Sequence, residues 1–246
     1  MAIPMFPAEK RILTIPPRSR ERIRTIFGRY SGFDSVPRTP EADAWIARTE
    51  EQALRFLSVE AICLLEPVTE TSPAGVRTAS GIFFPSPRMG EVLDGACGMA
   101  VMALRLRGEE ALSGRGDYAD QMLYDLWGNA VLESAASDLR VSLKREFRDR
   151  GFFVTPTWSP GQNGIDLSNQ VPLFKLLHPE EIGITLGPDH LMEPLKSVTQ
   201  FFGCGWEVMT GLAAPCDFCD SRNSCVSAYF ESLYDKEEPP ECSYFK

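Results

Sequence analysis

One long amphipathic segment constrains the fold more than any other feature of the sequence. Between residues 117 and 150, apolar side chains recur at the 3.6-residue repeat of an α-helix, and charged residues fill the other face near the C-terminal end. The apolar positions are Met122, Leu126, Ala130, Val131, Ala135, Leu139, Leu143 and Phe147. A continuous helix over Tyr118–Arg150 has a long apolar face to cover, and we expect that face to pack on an antiparallel β-sheet.

A glycine interrupts this helix at position 128. Glycine inside a helix costs about 1 kcal/mol relative to alanine. Gly128 is therefore either a point where another backbone or a ligand approaches closely, or an ordinary tolerated glycine.

The remaining segments mix helices and strands. Residues 1–16 read as an extended, proline-marked arm, followed by a helix over about 19–30 and a second helix that starts at Thr39-Pro40. Gln170–Leu177 is predicted as a short helix. Strands are predicted over 59–68, 75–84, 97–107, 152–158, 182–186 and 196–208. This mixture predicts an α+β protein.

Length, composition and charge exclude several functional classes. The 246 residues fit one large domain or two small ones, and no linker forces a division. The net charge of −9 argues against nucleic acid as a partner. No apolar run approaches the ~20 residues that span a bilayer, and the N-terminus lacks a secretory signal, so we expect a cytoplasmic protein without membrane contact. The arginine-rich stretch over 18–29 is either a solvated helix face or a dock for an acidic partner.

The seven cysteines are unevenly placed, and five of them follow residue 203. Cys204, Cys216, Cys219 and Cys225 form a pattern of one distant cysteine, a C-x-x-C pair and a fourth cysteine close behind. Thiolates are soft ligands that select zinc or iron–sulfur clusters. The three-plus-one arrangement, with no histidine nearby, favours a 4Fe–4S cluster over zinc, and four unligated thiols are the third possibility.

The other three cysteines are assigned differently. Cys63 and Cys97 stand in apolar surroundings and are predicted to be small core residues. Cys242 is a spare thiol that could replace Cys204 as a ligand.

Several segments in a fixed order resemble a known family. They read WSPGQNGIDLSNQ over 158–170, LFKLL over 173–177, IGITL over 182–186 and LMEPLKSV over 191–198, with DLWGNAVLESAA over 125–136 before them. Together they resemble the reactivation (activation) domain of vitamin B12-dependent methionine synthase, especially its small stand-alone relatives. The resemblance covers roughly residues 90–230. It implies a twisted antiparallel sheet with long packing helices, here followed by a C-terminal metal-binding loop.

The resemblance also implies a ligand site and a partner. The family domain binds S-adenosylmethionine and presents it to an oxidised cobalamin. The matching loop residues here are Thr157, Ser159, Pro160, Gly161 and Gln162. Thr157 stands where the family has arginine and Gln162 where it has tyrosine, which predicts weak binding of S-adenosylmethionine. Lys196 is a further candidate for contact with a ligand phosphate or carboxylate.

These inferences lead to one functional hypothesis and one alternative. The hypothesis is a corrinoid-linked accessory protein that assists reductive reactivation of a cobalamin-binding protein with an iron–sulfur cluster. The alternative is a non-catalytic binding module with a structural zinc site. The chain would divide into N-terminal helices and first strands (1–90), an activation-domain-like core (91–203) and a cysteine-rich tail (204–246). The sequence leaves open whether the chain itself catalyses a reaction.

Overall fold

The computed structural model describes residues 9–207, 209, 214–225 and 228, and its centre is a seven-stranded antiparallel sheet. The sheet contains β1 (Glu9–Ile15), β2 (Ser58–Ser72), β3 (Gly75–Thr78), β4 (Phe83–Phe84), β5 (Gly98–Arg107), β6 (Phe153–Val154) and β9 (Ser197–Gly205). Their order is β4-β3-β2-β5-β9-β6, and β1 pairs with β2. A separate two-stranded ribbon joins β7 (Thr185–Leu186) to β8 (Met192–Glu193).

The long strand β2 connects the two ends of the sheet. Its first part pairs with β5 on one side and β1 on the other, so that Val59 lies opposite both Leu106 and Ile15. After a register shift between Val68 and Glu70, its last part pairs with β3. Residues 9–15, expected to be part of an extended arm, are thus a paired strand.

Within the described residues five α-helices surround the sheet, and the first four of them have a side-chain cap at the N-terminus. They are α1 (Arg20–Ser31), α2 (Pro40–Phe56), α3 (Pro87–Val92), α4 (Tyr118–Asp149) and α5 (Gln170–Leu177). The Thr39 side chain accepts a hydrogen bond from the amide of Ala42, and Asp117 forms a capping box with Asp120. The predicted bounds of α4 and α5 are confirmed to within one residue.

The sheet is buried on both faces. One face, with Ala100, Met102 and Leu104 of β5, packs against α1, α2 and α4. The other face, with Met99 and Val101, packs against α3, α5 and the segment 158–184. A strand covered on both sides reads as a continuous apolar run, which is why β5 shows no alternation in the sequence.

The long helix α4 is covered on more than one side. The predicted positions Leu139 and Leu143 are fully buried, but Met122 is 56% exposed. Asp138 and Lys144 are each only 2% exposed. The Asp138 carboxylate pairs with the guanidinium of Arg22 on α1, and Nζ of Lys144 lies 5.5 Å from the centre of the Phe202 ring on β9. The helix therefore buries charged side chains as well as apolar ones.

Two predicted strands are much shorter than expected. Of residues 152–158, only 153–154 form a strand, with an isolated bridge at Trp158. Of residues 182–186, only 185–186 form a strand, because 179–182 is a 3-10 turn.

The parts of the chain that the sequence separated share one sheet: strands from 1–90 and from 91–203 belong to it. Within the described part of the chain, no helix is both long and apolar enough to cross a membrane.

Candidate functional site

The loop that the sequence singled out is fixed at its base to β9. The amide and carbonyl of Trp158 each bond to Phe201, both at 2.8 Å. The amide of Thr155 donates to the carbonyl of Gly203 at 3.0 Å, and the amide of Gly203 donates to the Thr155 hydroxyl at 2.9 Å. The loop therefore leaves the sheet from a rigid base on the face opposite α4.

The tip of the loop is a closed turn that requires glycine. The amide of Gly161 donates to the carbonyl of Ile165 at 2.8 Å, and the amide of Ile165 donates to the carbonyl of Gln162 at 2.9 Å. Gly161 and Gly164 have φ values of +87° and +92°, in the left-handed region where a side chain is strained. Pro160 is buried, whereas Gly161 and Gln162 are exposed.

A cavity of about 550 Å³ lies beside this loop. Its lining includes Thr71, Ser72, Arg88, Glu91, Asp94 and Phe218. The Arg88 guanidinium lies 4.7 Å from the centre of the Phe218 ring and donates to Glu91 at 2.7 Å. Arg88 also packs against Gly164, and the ring of Phe218 lies 6.1 Å from that of Trp158. Loop and cavity thus share the wall made by Arg88 and Phe218.

The structure keeps the five predicted loop residues together and places Lys196 apart from them. Lys196 lies on the helix side of the sheet, where its Nζ donates to Asp125 at 2.6 Å and to Asn129 at 3.1 Å. Phe201, at the base of the loop, is five residues further along β9, which is about 17 Å at ~3.4 Å per residue. Thr157 is only 5% exposed, so it supports the loop from within.

Cys204 lies on the helix side of β9, in contact with Cys97. The amide of Cys97 donates to the carbonyl of Cys204 at 2.9 Å, and its Sγ lies 3.5 Å from the same oxygen. The neighbouring Cys204 thiol lowers the pKa of Cys97 to about 7, and the same contact, together with burial, raises the pKa of Cys204. Cys97, predicted as a core residue, is a half-buried thiol beside a second one.

The other three cysteines of the pattern lie in the segment 214–225. Cys216 is in the 3-10 turn Pro215–Phe218, the amide of Cys219 donates back to Cys216 at 3.3 Å, and Cys225 is exposed. The Asn163 side chain donates to the carbonyl of Pro215 at 2.5 Å, which ties this segment to the candidate loop.

The segment and Cys204 therefore lie on different faces of the sheet. Phe218 contacts Trp158, which belongs to the core opposite the one that contains Cys204. Across the described ranges, no three His, Cys, Asp or Glu side chains are grouped to hold a metal ion. The four-cysteine ligand set stays a prediction, and Cys242 lies outside the described residues.

Comparison with known proteins gives a match at the level of structure. No family model and no curated protein sequence matches the chain. A crystal structure of the MetH reactivation domain bound to AdoHcy matches it with a TM-score of 0.59. The match covers 92% of this chain and 90% of that chain at 12% identity. This likeness shows the fold. The predicted α+β fold of the reactivation domain is confirmed, and membership of the family does not follow.

Two features of the site were not accessible to sequence reasoning. Arg88 and Phe218 meet only through the fold, and no motif marks either of them.

The arginine-rich stretch over 18–29 is largely used in ion pairs within the structure. Arg20 and Arg24 both pair with the buried carboxylate of Glu50, while Arg22 pairs with Asp138. The carboxylates that these three arginines meet thus belong to the chain itself, and Arg22 is buried where the sequence suggested a solvated helix face or a dock for an acidic partner.

Proposed function

We propose that this chain is an accessory protein that acts with a cobalamin-binding protein and assists its reductive reactivation. The observation that carries the proposal is the fold shared over 92% of the chain with the MetH reactivation domain bound to AdoHcy. The motifs that resemble the methionine synthase family point to the corrinoid partner. The cobalamin on that partner would supply the cobalt centre that takes up one electron and a methyl group.

The ligand in this proposal is an S-adenosyl compound held between the loop and the adjoining cavity. A volume of about 550 Å³ lies within the usual range for small-molecule sites. The Phe218 ring is 47% exposed and offers an aromatic face to a purine. The left-handed glycines of the loop allow close approach of its backbone to the ligand.

In this arrangement Arg88 takes the role of the arginine that the methionine synthase family has at the position of Thr157. A guanidinium grips a carboxylate through two parallel hydrogen bonds, and a threonine hydroxyl has no equivalent. Arg88 lines the cavity, packs against Gly164 of the loop and is held by Phe218 and Glu91. Because Thr157 is buried, an arginine placed there would overpack the base of the loop, and Arg88 is the more informative position to test.

Titration calorimetry with AdoHcy and S-adenosylmethionine tests the ligand. We expect weak but saturable binding, and at least a ~10-fold loss of affinity in Arg88→Gln, because a charge-assisted hydrogen bond contributes roughly 1.5–3 kcal/mol. Arg77→Gln is the matched control, since Arg77 also packs on a phenylalanine, at 4.9 Å from the Phe83 ring, and faces a carboxylate, Glu70, at 3.4 Å. Equal losses in both variants, or no binding of either compound, would reject this site.

A spectroscopic assay tests the role. A cobalamin-binding domain of methionine synthase in its inactive cob(II)alamin form is mixed with Ti(III) citrate and S-adenosylmethionine. We expect the methylcobalamin absorbance to appear faster when the chain is present, and more slowly with Arg88→Gln than with Arg77→Gln. An identical time course with and without the chain would remove the proposed activity, even if the ligand binds.

The metal remains part of the proposal. We infer that the thiolates of Cys216, Cys219 and Cys225 bind an iron–sulfur cluster, and the support is the spacing of three soft ligands within one short segment. Cys204, the fourth ligand that the sequence predicted, lies on the other face of the sheet. A structural zinc site is the second candidate. It is favoured by the way the segment packs on the loop through Asn163 and Phe218, as a structural clip would.

Metal analysis after anaerobic purification separates these possibilities. Iron with a brown, charge-transfer spectrum supports the cluster, and colourless protein with one equivalent of zinc supports the structural site. Cys219→Ala is expected to lose the metal, whereas Cys63→Ala, a change in the core near neither end of the pattern, is expected to keep it. Metal-free protein from anaerobic cells would leave four reduced thiols.

A further inference from the structure

A second, shallower pocket lies on the helix side of the molecule, away from the candidate loop. It has a volume of about 310 Å³ and lies between α2, the 109–116 turn and the start of α4. Its lining residues are Arg48, Gln52, Arg115, Gly116, Asp120 and Tyr124. Nearly all the polar side chains in this lining are hydrogen-bond donors.

The single carboxylate of the pocket is already fully engaged. Asp120 accepts from the Trp45 indole at 2.6 Å, from Nη2 of Arg48 at 2.7 Å and from the amide of Asp117 at 3.2 Å. These bonds fix Arg48 in place by one nitrogen. Across the described part of the chain, its Nε and Nη1 have no other partner and stay available to a ligand.

The second guanidinium is also positioned by the fold. Arg115 packs 4.6 Å from the centre of the Phe56 ring, and its Nε donates to the carbonyl of Ala111. Its two Nη groups have no hydrogen-bond partner among the residues that the structure describes. Two arginines thus present fixed donors to one pocket.

Two neutral donors complete the lining. Tyr124 lines the pocket and is only 8% exposed, and no described residue bonds to its hydroxyl. Burial and the nearby Asp120 carboxylate raise the pKa of Tyr124, so the phenol stays protonated and able to donate at neutral pH. The half-buried Gln52 amide is likewise without a partner within the described ranges. Neither group is engaged by a described residue, so both can bond to a ligand in the pocket.

We propose that this pocket binds a small phosphate-bearing ligand. Two guanidinium groups, a phenol and an amide converge on one space, with a single carboxylate that already accepts three hydrogen bonds. A tetrahedral phosphate presents three acceptor oxygens and matches several planar donors at once, whereas a carboxylate presents two. The local excess of positive charge stands out on a chain with a net charge of −9.

Calorimetric titration of the full chain with inorganic phosphate, at low and constant ionic strength, tests the proposal. We expect saturable binding at one site. Arg115→Gln is expected to weaken it at least about 10-fold and Tyr124→Phe roughly 3- to 10-fold, as expected for a lost charged and a lost neutral hydrogen bond. Tyr124→Phe removes only the hydroxyl oxygen and keeps the ring, so this arm survives if Arg115→Gln disturbs the turn.

Arg55→Gln is the matched control. Arg55 also packs on Phe56, at 5.3 Å from the ring centre, but does not line the pocket. It removes the same charge and is expected to leave affinity within about 2-fold, since exposed charges outside a contact are screened. Arg88→Gln, in the other cavity, is expected to leave phosphate binding unchanged, which separates this site from the S-adenosyl site.

Three outcomes would overturn the proposal. The first is no saturable binding of phosphate by the wild-type chain. The second is an equal loss of affinity in Arg55→Gln and Arg115→Gln, which would mean attraction by net charge alone. The third is tighter binding of acetate or succinate than of phosphate, which would assign the pocket to a carboxylate.

Discussion

At the scale of single residues, the path of the Lys196 side chain accounts for the glycine at position 128. A Cβ atom at position 128 would lie 2.8 Å from Cδ2 of Leu106 and 3.1 Å from Cε of Lys196. The Lys196 side chain crosses α4 at this glycine and bonds to Asp125 and Asn129 of the same helix. The atoms that approach Gly128 belong to the side chains of Leu106 and of Lys196, which directly precedes β9, whereas the sequence suggested another backbone, a ligand or no close approach at all.

Replacing Gly128 with alanine tests this packing. Helix propensity alone would stabilise the variant by about 1 kcal/mol. Overpacking against Leu106 and Lys196 costs about 1–3 kcal/mol, so we expect a net loss of about 1 kcal/mol in the free energy of unfolding, measured by urea denaturation. In a Lys196→Ala background the loss is expected to be smaller, because part of the obstruction is gone. A stabilised Gly128→Ala protein would show that the helix and β9 adjust freely.

The site residues that the sequence grouped together are those that lie next to one another in the chain. The loop residues from Thr157 to Gln162 follow one another in the chain, and a motif can mark such a group. Lys196 and Asp125 are separated along the chain and meet because β9 lies beside β5 under α4. Arg88 and Phe218 also meet only through the fold. No local pattern encodes contacts that depend on the order of strands.

At the scale of elements, length decided which predictions held. The helix α4 carries eight apolar positions in register, and its bounds were predicted almost to the residue. The strands β6, β7 and β8 contain two residues each, which is too short for any alternation to be detected. The 3.6-residue repeat also gave the wrong exposure for some residues of α4. It shows only where apolar residues lie, and it does not detect a buried ion pair such as Arg22 with Asp138.

Two substitutions to alanine on α4, at Leu139 and at Met122, test which side of the helix packs against the rest of the protein. Leu139 is fully buried, and Leu139→Ala is expected to lower the free energy of unfolding by about 2–5 kcal/mol. Met122 follows the same repeat but is 56% exposed, so Met122→Ala is expected to change it by less than about 0.5 kcal/mol. Chemical denaturation of both variants gives the comparison. Similar losses for the two would mean that the N-terminal turns of α4 are covered.

At the scale of the whole molecule, the sheet joins distant parts of the chain. β2 comes from the first third of the sequence and lies directly beside β5, which lies beside β9 from the last fifth. Family resemblance predicted the class of fold, but the strand order follows from which edges meet in three dimensions. The boundary at residue 90 that the sequence suggested assigns β2 and β5 to different parts of the chain, although the two strands pair with each other.

The fragment 91–246 tests how far the parts depend on each other. It would lack β1 to β4 together with α1, α2 and most of α3, so the edge of β5 would be uncovered and each apolar face of the remaining sheet would lose part of its cover. We expect this fragment to show no cooperative thermal transition and little amide protection. We expect a fragment ending at residue 228 to unfold in a single transition, because it keeps all seven strands of the main sheet. For that longer fragment, tryptophan fluorescence and far-UV circular dichroism should report the same midpoint. A stably folded 91–246 fragment would mean that β5, β9 and α4 form a core of their own, and that the N-terminal strands are an addition to it.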